Sequence, residues 1–207
     1  MATRFPLYWT KLMHRCPSVA RRSTVLFAAL SAGAMLMAVA PRTAAAQPSL
    51  VVLVRHGEKQ PAPADDPSLS DAGVARAKAL DAALALSTPT AIVVSARKRT
   101  GETAAVVQQR LGIAPTVVPL DAQHVKNVAA AVMKATGVVL VVGHSNTIPA
   151  IVNALAGTKL PDICDASYAT MFLVSPGVNG GKAQVVKSSF GAPDAIGADQ
   201  CAGMIPK

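Results

Sequence analysis

The chain has 207 residues, enough for one domain with a sizeable core. Its formal net charge of +9 is concentrated at one end: residues 1–46 hold six of the 20 Lys and Arg and none of the 11 Asp and Glu, so residues 47–207 keep 14 against 11, a net +3. No basic run is interleaved with aromatics, so nothing calls for nucleic acid as a partner, while a mild positive bias fits an anionic small substrate.

Arg4, Lys11, Arg15, Arg21 and Arg22 make a basic start, residues 23–41 carry no charge, and Ala44-Ala45-Ala46 supplies the small residues of an A-x-A cleavage site. This is the layout of a secretory signal peptide, removed at residue 46, and it places residues 47–207 in the periplasm or outside the cell. The alternative is an uncleaved anchor, since the uncharged stretch could just span a bilayer. With the leader removed, no membrane span is expected. Arg21-Arg22 and Arg42 point to the twin-arginine route, although the residues flanking the pair fit that signal only in part. Cys16 leaves with the leader, and the two cysteines that remain, Cys164 and Cys201, are expected to pair rather than stay free thiols. Such a bridge would pin a tail that looks loose from about residue 191, rich in Gly, Pro, Asp and Ala.

Past the leader, Leu50-Val51-Val52-Leu53-Val54 is a short apolar run suited to a strand buried on both faces, and it ends in Arg55-His56-Gly57-Glu58. Residues 60–69 form a Pro- and Asp-rich loop. Ser70 can cap the helix that follows, with Asp71 in its first turn and Val74, Ala77, Leu80 and Leu84 on one face, to about Leu86. Residues 91–95 give a second buried strand, feeding Arg97, Lys98 and Arg99 and then a helix to about Leu111. A third strand over 116–120 ends in Asp121, and a helix runs from about Ala122 to Lys134, with His124 on its surface. Residues 137–143 repeat the pattern of the first strand and end in His144. A helix over 147–156 carries Pro149 in its first turn, where proline is tolerated. Two last strands over 169–174 and 183–188 are joined by the turn 175–181. Alternating strands and helices, with no repeat and no linker, predict one α/β domain over 47–207 with a mostly parallel sheet. Ligands bind beyond the carboxyl ends of such strands. Arg55, His56, Arg99 and His144 are all expected there.

Four stretches carry a resemblance: Arg55-His56-Gly57-Glu58, Leu69-Ser70-x-x-Gly73-x-x-Arg76-Ala77, Ser95-x-x-x-Arg99-Thr100-x-x-Thr103-Ala104 and Gly143-His144-Ser145-Asn146-Thr147. In this order they resemble the histidine phosphatase superfamily, and the likeness covers essentially all of residues 47–207. It implies a phosphoglycerate-mutase-like, three-layer αβα sandwich. It also implies a phosphatase in which His56 is the nucleophile and forms a phosphohistidine, while Arg55, Arg99 and His144 hold the phosphoryl oxygens. No metal and no cofactor are required in that scheme.

The chemistry accounts for the residue types. Phosphoryl transfer needs an in-line nucleophile and donors for the equatorial oxygens. One nitrogen of a neutral imidazole attacks while the other donates, for which a backbone carbonyl is the expected acceptor. Arginine forks suit phosphate oxygens, and their charge should lower the pKa of His56. His144 would complete the pocket as a donor, unless it is a satisfied core histidine. Arg97, Lys98 and Arg99 could equally be a solvated basic face; the Arg-Thr-x-x-Thr-Ala spacing selects Arg99. The general acid is expected to be Asp121, with Glu58 second, and Glu58 is also placed at the phosphate; Asp121 could instead be a helix cap. Relatives that place an acid before the tyrosine equivalent to Tyr168 differ from this chain, which has Ser167 there.

Two other motifs fail. Gly177-Val-Asn-Gly-Gly-Lys182 is one residue short of a P-loop and lacks the following Ser or Thr. Ser145 in Gly143-His144-Ser145-Asn146-Thr147 resembles the nucleophile of a serine hydrolase, but no histidine follows His144. The expectation is therefore an exported phosphatase acting on a phosphorylated small molecule, with a phosphoprotein or a lipid-linked phosphate also open. The competing reading is a phosphate-binding relative with little turnover. Mutase activity is disfavoured, because the connections from His56 to Arg99 and from Arg99 to His144 are short.

Overall fold

The structure is a computed structural model and describes residues 47–177, 181–195 and 197. The elements, in chain order, are β1 (Pro48–Arg55), α1 (Asp71–Ala83), β2 (Pro89–Ser95), α2 (Lys98–Leu111), β3 (Thr116–Val118), α3 (His124–Lys134), β4 (Gly137–Gly143), α4 (Thr147–Ala156), β5 (Thr170–Ser175) and β6 (Gln184–Ser189). They build one six-stranded sheet in the order β3-β2-β4-β1-β5-β6. β1, β2, β3 and β4 are mutually parallel; β5 runs antiparallel to β1, and β6 antiparallel to β5.

Successive side chains of a strand point to opposite faces, and here both faces are covered. Val51, Leu53, Val93, Val139 and Val141 pack with Val128 and Val132 of α3 and Ile148, Ile151 and Val152 of α4. Val52, Val54, Ile92, Val94, Leu140 and Val142 face the other way, onto Leu80 of α1 and Ala104 and Val107 of α2. This gives the expected αβα layers. Each fully buried Val or Leu contributes about 1.5–3 kcal/mol relative to exposure, so β1 and β4 form the most strongly anchored part of the sheet.

α1 is capped as expected, with the Ser70 Oγ accepting the Gly73 amide at 3.3 Å. Its inward face is the expected one at Ala77, Leu80 and Leu84 and departs from it at Val74, which is 44% exposed, while Gly73 and Arg76 are buried. The reason is a close crossing: a Cβ on Gly73 would lie 2.1 Å from the Glu58 carbonyl oxygen, and one on Gly57 2.9 Å from the Gly73 oxygen. The loop after β1 needs two glycines to pass the start of α1, and that contact turns position 73 rather than 74 inward.

Two further expectations are corrected. His124 is buried at 3% exposure, because α3 starts at this residue and the ring Nδ1 donates to the Pro119 carbonyl at 2.8 Å. The tail is not loose over its first residues. Buried Arg76 donates from Nη1 to the carbonyls of Phe190 (3.2 Å) and Ala192 (3.0 Å), and Asp194 Oδ1 accepts the amides of Tyr168 (2.7 Å) and Ala169 (3.0 Å). The leader and Cys201 lie outside the described residues. Cys164 is disulfide-bonded. Among the described residues, no helix is long and apolar enough to cross a membrane.

Candidate active site

The neighbours β2, β4 and β1 are parallel, so their carboxyl ends lie side by side and bring Ser95, His144 and His56 together. The His56 amide continues the pairing past the strand, donating to the Gly143 carbonyl at 2.9 Å. The Gly57 amide donates to Thr103 Oγ1 at 2.9 Å, which ties the loop after β1 to α2. His56 is 4% exposed, and its ring lies 5.3 Å from that of His144 in an edge-on arrangement.

The tautomer of His56 follows from one contact. Nδ1 is 2.7 Å from the Gly57 carbonyl oxygen. A carbonyl only accepts, so Nδ1 carries the hydrogen and Nε2 the lone pair. Burial, with Arg55, Arg99 and Lys59 nearby, outweighs the hydrogen bond to Gly57 and pushes the pKa down to about 4. The ring is a neutral nucleophile at neutral pH.

Arg55 and Arg99 flank it. Arg55 is 4% exposed, and its Nη1 donates to the carbonyls of Cys164 (3.0 Å), Asp165 (2.9 Å) and Ser167 (3.0 Å). Its guanidinium lies 4.1 Å over the Tyr168 ring, a cation–π contact. Of the three neighbouring cations only Arg99 turns inward: Lys98 is exposed, and Arg97 reaches the Asp65 carbonyl at the surface. Arg99 Nη2 lies 3.5 Å from His144 Nδ1. Among the described residues, the Nε atoms of Arg55 and Arg99 are both buried without a hydrogen-bond partner. An unpartnered charged donor is costly to bury, and an arginine at the end of β1 with a second at the start of α2 offers donors suited to an oxyanion. Burial pulls both guanidinium groups below their ordinary pKa; Tyr168 and Asp165 act against this at Arg55, and Asp66 at Arg99.

His144 is 7% exposed, with Nε2 2.8 Å from Ser95 Oγ. Burial, with His56, Arg99, His124 and Arg97, pushes its pKa down to about 3.

The two proposed acids occupy other roles. Glu58 is held by Arg76, with Nη2 at 2.7 Å from Oε1 and Nε at 3.0 Å from Oε2. Burial alone would raise its carboxyl, but the bonds from Arg76 prevail and its pKa is lowered. An ionised carboxylate paired in this way neither donates a proton nor suits a phosphate oxygen, which corrects its expected place at the phosphate. Asp121 is exposed; its Oδ1 accepts the Gln123 amide at 2.8 Å and its carbonyl the His124 amide at 3.0 Å, so it caps the turn into α3.

Sequence reasoning missed two acids at the rim. Asp165 Oδ1 lies 3.7 Å from Arg55 Nη2 and Asp66 Oδ1 3.7 Å from Arg99 Nη1. Both sit in loops without periodicity, where no spacing marks them. Arg76 was visible in the second motif, but its partner was not.

Residues 51–123 match the family model of the histidine phosphatase superfamily, branch 1. No curated protein matches the chain. Among solved structures, the chain is similar to the protein histidine phosphatase SixA complexed with tungstate, with a TM-score of 0.56 and 19% identity over 68% of this chain and 96% of that one. It is also similar to a mycobacterial glucosyl-3-phosphoglycerate phosphatase in complex with VO3, with a TM-score of 0.51 and 17% identity over 70% and 99% of the two chains. At these identities the likeness is one of fold.

Proposed function

We propose, from the match of residues 51–123 to the histidine phosphatase superfamily and the shared fold, that the chain is an exported phosphatase of that superfamily hydrolysing a phosphomonoester through a phosphohistidine on His56. The observation that carries this is the His56 Nδ1 to Gly57 carbonyl bond, which leaves Nε2 unprotonated on a ring that feels the charges of Arg55 and Arg99. Nε2 attacks phosphorus, and the bond from phosphorus to the alcohol oxygen breaks, its electron pair leaving with that oxygen, which takes up a proton. Water then attacks the phosphohistidine, gives inorganic phosphate and restores the imidazole. Arg55 and Arg99 hold the equatorial oxygens in both steps, and no metal takes part.

The export part of this reading rests on the layout of residues 1–46, and the pairing of Cys164 with Cys201 on the expected oxidising compartment. Asp121 is kept as the proposed acid although its carboxylate accepts the Gln123 amide, because its side chain is exposed at the end of the chain segment that follows β3. Substrate classes that fit are sugar phosphates, lipid-linked phosphates and phosphoproteins; the short connections between the motifs weigh against a mutase.

A second reading is favoured by the engagement of both carboxylates: Glu58 is tied to Arg76 and Asp121 holds the turn into α3. A site without a proton donor would bind phosphate with little turnover. Hydrolysis of an aryl phosphate in EDTA, abolished by His56→Ala, supports the phosphatase. An alkyl phosphate, whose leaving group needs protonation, separates the two readings. Tight vanadate binding with neither ester hydrolysed would overturn the phosphatase. Mass spectrometry of the exported protein reads the cleavage site and the disulfide together.

A further inference from the structure

The second imidazole of the site stands in a hydrogen-bond chain whose direction is forced. Arg99 Nη2 lies 3.5 Å from His144 Nδ1. A guanidinium has no acceptor, so Nδ1 presents its lone pair. The hydrogen of the neutral ring is then on Nε2, 2.8 Å from Ser95 Oγ, which accepts it. Ser95 in turn is 3.1 Å from Thr100 Oγ1, and Thr100 Oγ1 is 2.8 Å from the Ser95 carbonyl and 2.7 Å from the Arg97 carbonyl. Carbonyls only accept, so the Thr100 hydroxyl donates to the backbone, accepts from Ser95, and leaves Ser95 to accept from His144. The reverse direction would set two lone pairs against each other between Ser95 and Thr100, and two N–H groups between His144 and Arg99. Ser95 is 2% and Thr100 0% exposed, so water does not compete.

We infer that Ser95 is a positioning residue that keeps the hydrogen of His144 on Nε2, so that Nδ1, released from its long contact to Arg99 when that guanidinium turns to the ligand, accepts from a protonated oxygen and the site takes a singly protonated phosphoryl group. This rests on the phosphoryl ligand of the proposed function, and it reverses the donor role expected for His144 from the sequence. The groups around His144 agree with it. His56 from β1, Ser95 from the end of β2 and Arg99 from the start of α2 face the ring, and Arg97 and His124 of α3 act on it by charge from further away. All of these are cations, imidazoles or a hydroxyl, none of which favours a second proton on the ring. A donor on the ligand therefore fits Nδ1 better than a bare oxyanion does. The consequence is selectivity: inorganic phosphate can offer a P–OH at moderate pH, whereas sulfate is fully ionised and offers none.

The test uses the whole protein and does not depend on turnover. Nitrogen-15 NMR of His144 reads the tautomer, and calorimetry reads binding of inorganic phosphate and of sulfate between about pH 5 and 9. Wild type is expected to show Nε2–H, phosphate affinity falling about tenfold per pH unit above the second ionisation of phosphate, and sulfate bound at least about tenfold more weakly at the acidic end. Ser95→Ala should reduce the preference for phosphate by about fivefold and admit the other tautomer; Ser95→Thr, which keeps the hydroxyl, should restore both. A hydrogen on Nδ1 in the wild type, or sulfate bound as well as phosphate with no pH dependence, overturns the inference whether or not Ser95→Ala folds. Nε2–H and a phosphate preference in a protein that hydrolyses no phosphomonoester would defeat the phosphatase reading and leave this one standing. Turnover with the hydrogen on Nδ1 would do the opposite.

Discussion

Arg76 grips the Glu58 carboxylate with two nitrogens, Nη2 2.7 Å from Oε1 and Nε 3.0 Å from Oε2, and the pair closes α1 onto the residue that follows the nucleophile loop. Arg76 is 5% exposed while the Glu58 side chain is 25% exposed, so removing the carboxylate leaves a guanidinium buried without its counter-charge. Glu58→Gln should therefore cost about 2 kcal/mol in a urea titration at pH 7, somewhat less than a fully buried pair. The folded pKa of Glu58 lies below its ordinary value, so the stabilisation is present above about pH 4.5 and is lost as the pH falls through the folded pKa. Wild type and Glu58→Gln should thus converge in acid. The ratio of alkyl to aryl phosphate turnover should not change. A variant that keeps its stability but loses alkyl phosphate turnover alone would make Glu58 the acid after all, and Asp121→Asn run beside it tests the other carboxylate.

Gly73 stands where no side chain fits. A Cβ there would meet the backbone oxygen of Glu58 at 2.1 Å, and backbone cannot swing aside as a flexible side chain can. Gly73→Ala should move the loop that carries His56, Gly57 and Glu58 and cost about 2–3 kcal/mol, at the upper end of overpacking penalties. Turnover should fall by roughly a hundredfold, as expected when a reacting group is displaced by about 1 Å. Gly101→Ala is the control, since a Cβ there meets nothing within 4 Å; it should leave both quantities unchanged.

Asp194 reaches back from the tail and accepts the amides of Tyr168 and Ala169, and Tyr168 lies beneath the Arg55 guanidinium. Asp194→Ala leaves both amides without this acceptor, which should lower stability by about 1–2 kcal/mol. It also loosens the ring on which Arg55 rests, so KM for a phosphomonoester should rise more than kcat falls. Asp194→Asn keeps an acceptor oxygen and should recover most of the loss. Equal losses in the two variants would mean that the charge, rather than the hydrogen bonds, holds the segment.

Much of this was legible in the chain because the controlling signals are local. Val51 to Val54 and Val139 to Val142 are buried on both faces, so each strand shows as an unbroken apolar run. The residues that follow, His56 and His144, inherit their position from the strand ends. What was not legible depends on partners distant in sequence. Val74 fits a core position by spacing, yet the crossing of Gly57 and Gly73 puts Gly73 inside and Val74 out in the first turn, while Ala77, Leu80 and Leu84 stay buried. Arg76 is buried because Glu58 and the Phe190 carbonyl receive it from elements far apart in the chain. Asp66 and Asp165 lie in loops, and only the folded chain places them beside Arg99 and Arg55. His124 looked like a surface residue because nothing in a helical spacing announces a ring that bonds the carbonyl five residues before it.

The two neutral histidines make the fold sensitive to acid in a calculable way. In the unfolded chain each titrates near 6.5, whereas in the fold His56 takes up a proton only at about 4 and His144 only at about 3. Below pH 6.5 the unfolded state therefore binds more protons than the folded state, and stability must fall with pH. The stabilisation is whole above about 6.5 and drains away down to the folded values. At about 1.4 kcal/mol per pKa unit, these depressions correspond to roughly 3 kcal/mol for His56 and roughly 5 kcal/mol for His144. Urea midpoints should accordingly drop steeply between about pH 6.5 and 4, with a shallower slope in His56→Gln, which removes one of the two titrating rings. The same depression keeps Nε2 of His56 unprotonated, so turnover should show no acid limb near pH 6.5 in the range where the protein stays folded. If the urea midpoint of the wild type is flat from pH 7 to 4.5, or if kcat/KM falls with a pKa near 6.5 that also shows in ligand binding and that His56→Gln or His144→Gln removes there, then these imidazoles are not held neutral by the fold.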